Sequence, residues 1–95
     1  MSIKGLGPHG ERASPPERVT LLPEDIKIAR DLELSVCIVM HTMQSDWSKL
    51  LVQGLVGTLG DCGVSVTEVA DSNFSPEKQA AAVNRFIAER PNAII

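Results

Sequence analysis

Five side chains, His41, Asp46, Trp47, Asp71 and Asn73, fall in two short stretches where an apolar run gives way to a helix-start signal. Their types suit carbohydrate recognition. A tryptophan offers a flat apolar face to the C–H face of a sugar ring. Carboxylates accept hydrogen bonds from vicinal hydroxyls, and an asparagine amide both accepts and donates. A helix opening near Ser45 or Asp46 would add unsatisfied backbone N–H donors at the same place. Each residue also has a structural use. Trp47 heads the apolar stripe of its helix, and Asp46 complements the amino-terminal helix dipole. Asp71 is placed to cap the turn after its strand, and Asn73 is a turn residue. His41 has no second histidine nearby and no cysteine at metal-ligand spacing, so neither zinc binding nor catalysis is expected of it.

Motifs of the common catalytic and nucleotide-binding folds are missing. There is no G-x-S-x-G and no G-x-x-x-x-G-K-[ST], and the turn His41 to Ser45 contains no glycine where a dinucleotide fingerprint would lie. No catalytic residue, metal or cofactor is therefore expected, and a binding module is favoured over an enzyme.

What must position these residues is a βαβαβ pattern from Leu34 to Ile95. Ser35 to Met40 is nearly all apolar, as a strand buried on both faces requires. Ser45 is a good N-cap for the next helix, whose Trp47, Leu50, Leu51, Leu55, Val56 and Leu59 form one stripe. Leu51, Leu55 and Leu59 are expected to bury against Val36, Ile38 or their opposite-face neighbours. Gly54, Gly57 and Gly60 weaken that helix but permit close approach to a strand, and Gly63 ends it in the left-handed region. Val64 to Ala70 is the second strand. Ser75-Pro76 starts a second long helix carrying Ala80, Val83 and Ile87, with Phe86 alongside. Arg90-Pro91-Asn92 stops it, and Ala93-Ile94-Ile95 begins a third strand. The expected fold is α/β: a three-layer parallel sheet in order 2-1-3 with right-handed crossovers. Ligands of such sheets bind just outside the carboxyl ends of the strands, where all five candidate residues fall.

Residues 1–33 read as a leader or linker with a short helix near 23–30, and residues 34–95 as the α/β unit. Met1 to Arg18 lacks apolar periodicity and is expected to be irregular. Pro23, Glu24 and Asp25 suit a helix start, and that helix is too short to stand without docking. Marginal stability is expected of so small a core. The net charge is −3, with nine scattered Lys and Arg, so nucleic acid is not expected as a partner. The longest apolar run is too short to span a bilayer. Gly5 to Arg12 is too polar and glycine-rich for the core of a signal peptide. A cytosolic protein, a start placed too late and a missing export signal all stay open. Cys37 and Cys62 are expected to be free, buried thiols.

Three blocks of this pattern resemble the start of the type I periplasmic binding protein fold, most closely the ribose- and galactose-binding proteins of ABC import systems. The first is Ser35 to Thr42 with Asp46, Trp47 and Gly54. The second runs from Cys62-Gly63-Val64 to Ala70-Asp71-Ser72-Asn73. The third is Pro76 to Gln79 and on through Arg90 to Ile95. The resemblance implies an incomplete amino-terminal lobe of a sugar-binding protein. Its ligand would be a monosaccharide or polyol, its partner in the full-length protein an ABC permease, and its location periplasmic or extracellular. It implies that Trp47 stacks on the sugar and that Asp71 faces it, with His41 at a strand end. Ser45-Asp46 stands where the family often has Asn-Pro, which removes a hydroxyl-binding asparagine. LacI-like repressors share the fold, so the sensing domain of a transcriptional regulator is an alternative, although Met1 to Arg30 is too rich in glycine and proline for a helix-turn-helix. A small Rossmann-like enzyme is a further alternative.

Overall fold

A buried central strand organises the molecule, which is described here from a computed structural model covering residues 5–95. The elements are α1 (Pro23–Asp31), β1 (Ser35–Met40), α2 (Asp46–Asp61), β2 (Ser65–Asp71), α3 (Pro76–Glu89) and β3 (Ala93–Ile94). All three strands are parallel, in the order β2-β1-β3. The apolar run of β1 explains its central place: Val36, Cys37, Ile38 and Met40 are all buried. β2 is an edge strand. Val36 pairs with Val66 and Cys37 with Glu68, so Thr67 is an extra residue that bulges the strand. That bulge, with Glu68 paired to Arg85 of α3, blunts an edge that would otherwise invite another strand.

Alternate β1 side chains serve opposite layers. Val36, Ile38 and Met40 form a cluster with Val52 and Cys62 from the α2 side and with Val64, against which Ile26 and Ala29 of α1 also pack. α3 packs on β1 and β2 with Ala82 and Phe86 buried, outside that cluster. In a 2-1-3 order the two crossovers run in opposite directions, which places their helices on opposite faces. Cys37 and Cys62 are both buried and free.

The helices are rotated from the stripes expected of them. In α2 the buried residues are Ser48 and Val52, and Leu55 and Leu59 pack half-buried against the cluster of Val36 and Ile38 as expected, while Trp47, Leu50, Leu51 and Val56 are exposed. The helix carries two overlapping apolar arcs, and periodicity alone does not select the one that meets the sheet. In α3 the buried pair is Ala82 and Phe86, whereas Ala80 and Ile87 are exposed. The glycines of α2 do not serve close packing either, since a Cβ at Gly54, Gly57 or Gly60 would meet nothing within 4 Å. Gly63 is different. Its φ is +73°, and a Cβ there would lie 2.5 Å from Arg30 Cγ. Arg30 Nη2 in turn donates to the Asp61 carbonyl at 2.6 Å, fastening α1 to the end of α2.

The first four residues of the leader lie outside the described residues. Beyond them, Leu6 and Arg12 form an antiparallel bridge and Pro16–Val19 a short 3₁₀ helix. Pro8 through Asp25 are all exposed. Among the described residues, no helix is long and apolar enough to cross a membrane.

Candidate functional site

Two strand-to-helix turns meet at the carboxyl edge of the sheet. The first leaves β1 at Met40. Thr42 is buried, and its Oγ1 accepts from the Gln44 N–H at 3.1 Å, which curls the chain toward α2. Ser45 then caps the helix: its Oγ accepts from Ser48 N at 3.1 Å and donates to the buried Ser48 Oγ at 2.9 Å. Trp47 is held in the first turn of α2, with 63% of its surface exposed. Among the described residues, Trp47 is therefore not part of the core.

The second turn leaves β2 at Asp71. Asn73 and Phe74 both have positive φ, +47° and +59°, and Ser75 N donates to the Ser72 carbonyl at 2.9 Å. This is the backbone of a type I′ turn, which ordinarily carries Asn-Gly. Asparagine tolerates the left-handed region, but phenylalanine there costs about 1–2 kcal/mol. Three hydrogen bonds hold the turn in place. Asp71 Oδ1 accepts from Asn73 N at 2.8 Å. Ser72 N donates to the Met40 carbonyl at 2.9 Å and Phe74 N to the His41 carbonyl at 2.7 Å, so this turn is stitched to the end of β1. Ser72 lies beneath it, and its hydroxyl is buried without a hydrogen-bond partner.

The result is a set of rings with a polar flank. The His41 ring stands 5.9 Å from that of Trp47, tilted by 52°, and 5.6 Å from that of Phe74 in an edge-to-face contact. Phe74 is 71% exposed. At the same carboxyl edge, Gln44 Nε2 donates to Asp71 Oδ2 at 3.4 Å. Of the five residues expected at this edge, the structure joins His41 to Trp47 by ring contact. It places Asp71 at the strand end, where its carboxylate orders the second turn. Asp46 sits in the first turn of α2 with no hydrogen bond to the others, and Asn73 contributes its backbone N–H to the turn.

Sequence reasoning missed Gln44 and Phe74. The signal for Phe74 was an aromatic residue stranded in a polar turn between the end of β2 and Ser75-Pro76, outside any periodic run. Gln44 carried no signal of its own, because its relation to Asp71 exists only once β1 and β2 are paired.

The site is an open edge. One depression of about 410 Å³ runs along Leu50, Leu51, Gly54, Leu55, Thr58 and Leu59, and another of about 300 Å³ is lined by Asp71 together with Lys78, Ala81, Ala82 and Arg85 of α3. Among the described residues no group of three His, Cys, Asp or Glu is placed to hold a metal ion. Exposed rings with a carboxylate and an amide alongside can hold a neutral molecule that has apolar faces and hydroxyl edges. No protein-family model, curated protein or solved structure matches the chain.

Proposed function

We propose that the chain is part of the amino-terminal lobe of a solute-binding protein that captures a sugar, a monosaccharide or polyol, for an ABC importer. It acts by binding rather than by turnover, outside the cytoplasm, and passes its ligand to a membrane permease. The observation that carries this reading is the exposed Trp47 ring against His41, at the same carboxyl edge of a parallel sheet as the hydrogen-bonded Gln44 and Asp71. An exposed indole at that edge contributes nothing to the core and presents the flat face a sugar ring needs. The three-strand order and the strand-to-helix turns agree with the lobe that the sequence resembles. In that fold a second lobe closes over the ligand by hinge motion, so this edge alone offers roughly half of the contacts.

The test is saturation-transfer NMR on the 95-residue chain with millimolar pentoses, hexoses and alditols, combined with the fluorescence of Trp47, its only tryptophan. Weak binding that perturbs Trp47 and disappears in Trp47→Ala is expected, with no micromolar heat in calorimetry. A wild-type chain that responds to none of these ligands overturns the reading.

A further inference from the structure

We infer that Phe74 is a specificity-determining residue of the same site, and that it selects sugars in ring form over open-chain polyols. The inference rests on the sugar-binding reading above and names the form of the ligand.

Phe74 is a residue the fold has no reason to want. Its backbone is left-handed, with φ of +59°, in a turn position that glycine fills without strain. Its ring is 71% exposed, so the core gains almost nothing from it. Glycine at this position would keep the closing bond from Ser75 N to the Ser72 carbonyl and the bond from Phe74 N to the His41 carbonyl, because both are made by the backbone. What glycine would remove is the ring standing edge-on to His41 at 5.6 Å. A side chain kept against local preference, outside the core and inside a ring cluster, is accounted for by what that cluster holds.

Its placement says what that is. Trp47 and Phe74 both touch His41, from α2 and from the second turn respectively. The site therefore offers two further ring surfaces fixed on separate elements, with the Asp71 carboxylate and Gln44 amide at the same sheet edge. A closed sugar ring presents rigid C–H faces to such surfaces and hydroxyls to the polar groups. The corresponding alditol has the same kinds of hydroxyl but no fixed face, and it must freeze several torsions to imitate one.

The experiment compares D-glucose with D-sorbitol, and D-xylose with xylitol, by saturation-transfer NMR on the wild-type chain, Phe74→Gly, Phe74→Leu and Trp47→Ala, together with the melting temperature of each. The wild type should favour the ring sugars. Phe74→Gly should melt at a higher temperature than wild type and bind the ring sugars roughly three-fold or more weaker, a loss of the size expected for one aromatic contact. Phe74→Leu should weaken binding similarly without the gain in melting temperature. A lower melting temperature for Phe74→Gly, equal binding of sugars and alditols by the wild type, or unchanged sugar binding by Phe74→Gly overturns the inference. A response that Trp47→Ala abolishes and Phe74→Gly leaves intact sinks this inference alone, whereas a silent wild type sinks the sugar-binding reading with it.

Discussion

The two turns at the carboxyl edge solve the same problem by opposite means. Each leads from a strand to a helix, and each helix is capped by a serine hydroxyl, Ser45 accepting from Ser48 N and Ser75 from Lys78 N. The first turn buries polar side chains, Thr42 and Ser48, and leaves its ring to be carried by the helix that follows. The second turn keeps Asn73 and Phe74 outside, carries its ring on the turn itself, and holds the required left-handed backbone with bonds to the neighbouring strand. Position is thus secured by hydrogen-bonded buried side chains on one side and, above the unpartnered Ser72 hydroxyl, by backbone stitching on the other. The first arrangement should be costly to disturb, and the second should tolerate changes of side chain.

Substitution of the two caps separates them most sharply. Ser45→Ala should destabilise the chain by about 2–3 kcal/mol, because it removes a cap and also strips the buried Ser48 hydroxyl of its partner. Ser75→Ala should cost about 1 kcal/mol, the ordinary loss of a cap, since its hydroxyl otherwise meets only the exposed Glu77. Urea unfolding of both variants checks the ratio, and equal costs would break the comparison. Asn73→Gly should be stabilising by roughly 0.5 kcal/mol, since glycine adopts the left-handed region freely. A loss of stability there would mean that the Asn73 side chain matters to the turn. The smallest effect belongs to the pair that flanks the edge strand. Arg85 and Glu68 are each about half exposed, so Glu68→Gln should change stability by less than about 1 kcal/mol, and by less still in high salt.

Much of this frame was legible before any coordinates. The bounds of β1 followed from one apolar run, and the start of α3 from Ser75-Pro76. The left-handed stop at Gly63 followed from a glycine after an apolar stripe. Which side of α2 faces inward was not legible. Trp47, Leu50 and Leu51 form one apolar arc and Val52, Leu55 and Leu59 another, and the choice between them is made by the sheet, not by the helix. The same ambiguity put Trp47 at the head of a stripe of which Leu55 and Leu59 alone meet the core, and assigned Gly54, Gly57 and Gly60 a packing role they do not have. At the site, the strand ends pointed to His41 and Asp71, because topology alone brings them to one edge. Phe74 and Gln44 depend on pairing across the sheet and on a turn conformation that composition does not encode.

The fastening of α1 has a practical consequence. Arg30 grips the end of α2 beside Gly63, at the amino edge of the sheet, while the rings stand at the carboxyl edge. The six residues of β1 separate the two ends by roughly 20 Å. Lys27 lies on α1 with its side chain 80% exposed. A dye or a sensor-surface tether attached at Lys27 would join the protein through α1 and not through either turn that carries the rings, which suits immobilised binding assays.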